Sequence, residues 1–143
     1  MAIDDFIIGV ADLSDPLTTV DGSNPTHRLL SETELSRGQH ISIGRPFGCL
    51  PDICLPENEY ISKKQGRFEV LGQTTDGVPV VTYQDYGVNK PIAYFKGPHS
   101  ELREQRLMDG KRIRIYPGDQ IKIGEPGYHT YSLSIMKNPK PQS

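Results

Sequence analysis

Four residues carry the chemistry this sequence can offer, and all four are hydrogen-bond donors. Arg45 stands in Ile43-Gly44-Arg45-Pro46, at the end of an alternating apolar run. Ser62 and Lys63 stand in Tyr60-Ile61-Ser62-Lys63-Lys64-Gln65-Gly66, just ahead of another such run. Asn89 stands in the polar stretch Gln84-Asp85-Tyr86-Gly87-Val88-Asn89-Lys90-Pro91. A guanidinium, a hydroxyl, an ammonium and an amide form a donor set suited to a phosphate, which brings about −1.5 to −2 charges and three acceptor oxygens. Taken singly, each is as simply a solvated loop residue. Their meaning depends on whether a fold brings the loops to one place.

No other chemistry is spelled out. There is no G-x-S-x-G, no H-E-x-x-H, no Walker loop and no G-x-G-x-x-G. His27, His40, His99 and His129 belong to no catalytic spacing, and Asp4-Asp5 is a solvated pair near a terminus. Cys49 and Cys54 form a C-x4-C pair with no second pair to complete a zinc site, so both read as free thiols, buried or half-buried, in a reducing compartment. The expectation is a domain that is not an enzyme and uses no metal and no cofactor.

The elements that must position the donors are short. The chain has 14 Gly and 12 Pro, distributed as punctuation between brief apolar or alternating runs. Phe6–Val10, His40–Ile43, Arg67–Leu71, Val78–Tyr83, Ile92–Phe95, Arg112–Tyr116, Gln120–Ile123 and Tyr131–Met136 read as strands. That density of strands means an all-β sandwich or barrel. Ser31–Leu35 and Ser100–Leu107 have helix-friendly composition and predict at most a turn or two of helix within loops. Residues 14–26 read as a loop, and 137–143 as a linker-like tail.

Composition bounds the partners. A chain of 143 residues with 35% hydrophobic residues is one globular domain, with no apolar run near the ~20 residues of a membrane span and no signal-peptide pattern at its start. Net charge is −2, which argues against direct nucleic-acid binding, and nothing points to a membrane. The charge is uneven: residues 1–36 hold seven acids and one base, residues 37–143 fifteen bases and eleven acids. A mildly basic body suits a local anion site.

Taken in order, Ile43-Gly44-Arg45, Ser62-x-x-Gln65, Asp85-x-x-x-Asn89 and Pro117-Gly118-Asp119-Gln120-Ile121-x-Ile123-Gly124 resemble the forkhead-associated (FHA) domain. That family runs I-G-R, S-x-x-H, an N-G turn, then G-D-x-I-x-I-G. Cys49-Leu50-Pro51-Asp52-Ile53-Cys54-Leu55-Pro56 is similar to the family segment in which a short strand precedes a proline. The likeness covers about Ile41 to Met136, with Phe6–Leu13 fitting a first strand.

The resemblance implies a β-sandwich of about eleven short strands with binding loops at one end. It implies one domain over residues 1–136, of which 1–40 form an acidic N-terminal extension containing the first strand and a loop. It assigns phosphate contacts to Arg45, Ser62 and Lys63, the peptide backbone to Asn89 with Val88 beside it, and support of the loops to Gly44 and Gln65. Arg103 and Arg106, in the late segment 98–107, would then favour an acidic peptide. The expected partner is a phosphothreonine-containing protein segment, and the expected setting intracellular and nuclear. The domain would serve as the targeting part of a larger signalling protein, such as a checkpoint-type Ser/Thr kinase. Three positions depart from the family: Gln65 replaces its histidine, Lys90-Pro91 its turn glycine, and Val88 its usual Thr or Ser. These keep a second reading open, a degenerate scaffold that binds partners without phosphate or forms a homodimer.

Overall fold

The structure is a computed structural model. It describes residues 2–12, 31–45, 51–55, 61–87, 91–95, 97, 98, 100–108, 110–124 and 130–138. Among them are eleven strands and no helix. They are β1 (Ala2–Asp12), β2 (Ser31–Ser36), β3 (His40–Gly44), β4 (Ile53–Cys54), β5 (Gly66–Gln73), β6 (Pro79–Asp85), β7 (Ile92–Phe95), β8 (Arg103–Arg106), β9 (Arg112–Ile115), β10 (Gln120–Gly124) and β11 (Thr130–Lys137). A six-stranded sheet has the order β2-β1-β11-β10-β7-β8, and a five-stranded sheet the order β4-β3-β5-β6-β9. All pairings are antiparallel except β3 with β4.

Period two explains the layers. Ile41 and Ile43 of β3, Phe68 and Val70 of β5, and Val81 and Tyr83 of β6 turn inward from one sheet. Ile8 and Val10 of β1, Ile121 and Ile123 of β10, and Leu133 and Ile135 of β11 turn inward from the other. All join one buried cluster, and each fully buried Ile, Leu or Phe contributes about 1.5–3 kcal/mol. The Phe68 and Tyr83 rings meet at 4.9 Å and 54°, a tilted aromatic contact across β5 and β6.

Two turns close the end away from the donor loops. Thr74 accepts from Gly77 N at 2.9 Å and donates to Val78 O at 2.8 Å, with Gly77 at φ 84°. In Tyr116-Pro117-Gly118-Asp119, proline presets the first corner and Gly118, at φ 92°, takes the left-handed second corner. A Cβ there would also press on Gly97 at 2.8 Å. Buried Asp119 locks this turn to the β7–β8 connection. It accepts from Tyr116 N (3.0 Å), Gly97 N (2.9 Å) and the Ser100 hydroxyl (2.8 Å).

Several sequence expectations need correction. The two segments with helix-friendly composition are strands β2 and β8. β8 is Arg-Glu-Gln-Arg, polar throughout because it is a sheet edge with most of its surface in water. β2 is also an edge, and Leu35 is its one buried side chain. Lys137, read as tail, pairs with Phe6 as the last residue of β11. Cys54, expected to be at least half-buried, is exposed and free on edge strand β4. Residues 14–26, Cys49, His27, His99, His129 and the tail from 139 lie outside the described residues. Among the described residues no helix is long and apolar enough to cross a membrane, and no group of three or more His, Cys, Asp or Glu could hold a metal ion.

Candidate functional site

The C-terminal end of β3, the segment before β5 and the C-terminal end of β6 lie together, because Ile43 pairs with Gly66 and Gly66 with Asp85. Gly44 makes the close approach possible. A Cβ on it would run into the Lys63 carbonyl oxygen, so only glycine lets the two loops touch. Main-chain bonds then stitch them: Arg45 N to Ser62 O at 3.3 Å, Gln65 N to Ile43 O at 2.9 Å, and Leu55 N to Gly44 O at 2.8 Å. Arg45, Ser62 and Lys63, separated by up to 18 positions in sequence, thereby share one rim of the sandwich. Arg45 and Ser62 are half-buried and Lys63 is exposed. The Arg45 Nε is buried with no hydrogen-bond partner in the structure.

Gln65, expected to support the loops, lies buried between them. It is 0% exposed, its Oε1 accepts from Ser62 N at 3.0 Å, and its Nε2 donates to Asp85 Oδ1 at 2.9 Å. A side-chain amide can accept and donate at once, and this one does both. Asp85, also 0% exposed, is the hub of this support. It accepts from the Tyr83 hydroxyl at 2.7 Å and from Gly87 N at 3.1 Å as well. Burial pushes the Tyr83 phenol well above its ordinary value of 10.0, and the neighbouring Asp85 charge and hydrogen bond push the same way. Tyr83 is therefore held as a donor. Gly66 and Gly87 make room: a Cβ on the first would strike the Tyr83 hydroxyl, and on the second the Gln65 side chain.

Next to this rim lies a cavity of about 300 Å³ whose walls include Ser42, Lys63, Lys64, Arg67 and Tyr86. Its charged walls are three cations, and the Asp52 carboxylate sits beside them, accepting from Ser42. Val88, Asn89 and Lys90 lie outside the described residues, so the geometry joins Gly44, Arg45, Ser62, Lys63 and Gln65 of the expected set. Arg103 and Arg106 stand on strand β8 at the far edge of the other sheet. Sequence reasoning left Tyr83, Gly66 and Gly87 without a role and used Asp85 only as a spacing mark. Its one available signal was Tyr83-x-Asp85, two side chains that a strand turns to the same face.

Eleven strands in this order, with loops clustered at one end, are the fold of forkhead-associated domains. The chain is similar to the MEK1 FHA domain, at TM-score 0.59 and 16% identity over 95% of this chain and 92% of that one. It is similar to the N-terminal FHA domain of S. cerevisiae Rad53p, determined in complex with a phosphothreonine peptide, at TM-score 0.54 and 18% identity over 92% and 94%. Full-length yeast Pml1p matches at TM-score 0.61 and 16% identity over 94% of this chain and 82% of that one. No family model matches the chain, and no curated protein matches it by sequence.

Proposed function

We propose that this chain is a phosphothreonine-peptide-binding module and not an enzyme. The observation that carries the reading is the rim itself. Gly44 against the Lys63 carbonyl brings Arg45, Ser62 and Lys63 together, and Gln65 anchors the Ser62 amide from below. Arg45 grips the phosphate, Ser62 donates its hydroxyl, Lys63 adds a second cation, and Asn89 holds the peptide backbone with Val88 beside it. The buried, partnerless Arg45 Nε supports the reading, since such a nitrogen costs free energy until an acceptor meets it. The MEK1 FHA domain with a HOP1 pThr318 peptide and the Rad53p complex support it from the side of the fold.

In the larger setting, the domain directs a signalling protein to phosphorylated partners. A Rad53 chain of residues 1–466 holds the fold within a longer protein, of which the match covers 30%. That chain was determined in complex with AMP-PNP, which supports the reading of a kinase body attached to this domain. A nuclear location is supported by the likeness to the Pml1 splicing factor. The second reading, a scaffold indifferent to phosphate, is favoured by Lys90-Pro91 and Val88, which change the loop next to Asn89.

Binding of phosphothreonine, phosphoserine and unphosphorylated peptide libraries separates the two. The module reading expects phosphothreonine peptides alone to bind. It also expects Arg45→Ala to lower affinity about tenfold to a hundredfold, since a charge-assisted bond contributes roughly 1.5–3 kcal/mol. Equal binding of all three libraries, untouched by Arg45→Ala, overturns it.

A further inference from the structure

The six-stranded sheet ends on β8 and the five-stranded sheet on β9. Between these two edges runs a cleft of about 620 Å³, larger than the cavity beside Arg45. Its charged lining is Arg103, Lys111 and Arg114 against a single acid, Glu101. The two guanidinium groups are held in place by aromatic rings. Arg103 Cζ lies 4.3 Å from the Phe95 centroid and Arg114 Cζ 4.3 Å from the Tyr116 centroid. Neither arginine has a carboxylate partner among the described residues, whereas neighbouring Arg112 is paired with Glu69 at 3.3 Å. The Arg114 Nε is buried without a hydrogen-bond partner, a condition it shares among described guanidinium groups only with Arg45. Leu102 (87% exposed) and Met108 (65% exposed), the two most exposed large hydrophobic residues described, flank β8 on either side.

A charged edge also guards a sheet against pairing with copies of itself. That role needs scattered charge. It does not need a cleft, guanidinium groups fixed on rings, or large apolar side chains standing in water at both ends of the strand. We propose that the β8–β9 cleft is a second recognition site, independent of phosphothreonine, for an extended acidic peptide segment of a partner protein.

The chemistry fits such a segment. Carboxylates take paired bonds from guanidinium groups, and groups already fixed on rings lose little freedom on binding. Among the described residues each of these edge strands pairs on one side alone, so an extended main chain can add to it. Four strand residues span about 13 Å, enough for two carboxylates on alternate positions. Leu102 and Met108 would cover apolar residues flanking the acids.

The test uses the full chain and a labelled peptide of about eight residues alternating glutamate with leucine, long enough to cover either edge. Its glutamine counterpart is the control. The acidic peptide should bind at low salt, roughly tenfold or more tighter than the glutamine version, and weaken steeply as salt shortens the screening length. Arg103→Glu with Arg114→Glu should lower that affinity at least about tenfold, while Arg45→Ala leaves it unchanged. Should the reversals unfold the protein, Arg103→Gln with Arg114→Gln gives the same reading without repulsion. Amide shifts on titration should fall on β8 and β9. The proposal is overturned if the acidic peptide fails to bind, if the glutamine peptide binds equally, or if Arg45→Ala abolishes binding while the cleft variants keep it. A phosphothreonine peptide titrated in parallel reports on the Arg45 rim separately, so either site can fail alone.

Discussion

At each end of the sandwich a fully buried carboxylate gathers at least three donors. Asp119 takes the amides of Gly97 and Tyr116 and the hydroxyl of Ser100. Asp85 takes the hydroxyl of Tyr83, the amide group of Gln65 and the amide of Gly87. At the Asp119 end the donors come from the two loops being joined. At the Asp85 end one donor is a side chain with a second function: Gln65 passes the constraint to Ser62 N. Beyond Ser62 lies Arg45, whose Nε has no partner. The same device thus makes a closed knot at one end and a braced, open rim at the other. The difference is one bifunctional amide.

The comparison breaks most visibly at its hubs. Asp85→Ala strands a hydroxyl, an amide group and a backbone N–H in the interior, and should cost about 3–5 kcal/mol in urea unfolding. A cost under about 1 kcal/mol would show that the three donors find other acceptors. Asp119→Ala should cost slightly less, about 2–4 kcal/mol, because Ser100 is only part-buried and can turn to water. Phosphopeptide affinity, measured on the folded fraction, should stay within about twofold of wild type in Asp119→Ala, since this knot does not reach the rim. A parallel fall in affinity would mean that the two ends are one mechanical unit.

Smaller changes sharpen the contrast. Gln65→Ala should cost about 2 kcal/mol and, more tellingly, speed hydrogen exchange at the Ser62 amide, which loses its acceptor. Unchanged exchange there would remove the relay from the account. Tyr83→Phe removes one donor from buried Asp85 at every pH, and the phenol adds a further, smaller effect seen only in alkali. That phenol is held above 10.0, so above that pH the unfolded chain sheds a proton that the folded one keeps, and stability falls as pH rises. Tyr83→Phe should remove that part of the alkaline slope, visible as a flatter unfolding midpoint against pH. An identical slope in the variant would place the loss on other groups.

What could be read in the sequence follows the physics of exposure. β3, β5, β6, β10 and β11 alternate clearly because each has strand neighbours on both sides and buries one face. β2 and β8 hid because edges bury little, and Glu, Arg and Gln at such positions resemble a helix surface. Arg45, Ser62, Lys63 and Gln65 were visible through ordered short motifs. The Tyr83–Asp85–Gln65 brace was legible only in its Tyr83-x-Asp85 half, since the Gln65–Asp85 bond crosses 20 residues and no local spacing announces it. The β8–β9 cleft was equally silent, because it forms only when two sheets end on the same side.

The pairing of Phe6 with Lys137 has a mechanical consequence. β1 enters and β11 leaves the six-stranded sheet as neighbours, at the end opposite Arg45 and Ser62. Whatever is joined before the one or after the other hangs from a single point and leaves the rim unobstructed. A pull between those attachments would first peel Ala2 and Ile3 from Ser36 and Leu35 of β2, then load the Phe6–Lys137 rung, then Ile7–Met136 and Ile8–Ile135, opening the ladder like a zip instead of shearing it as a whole. Segments joined at those two ends would let the domain swing freely, and it would yield early if they were pulled apart.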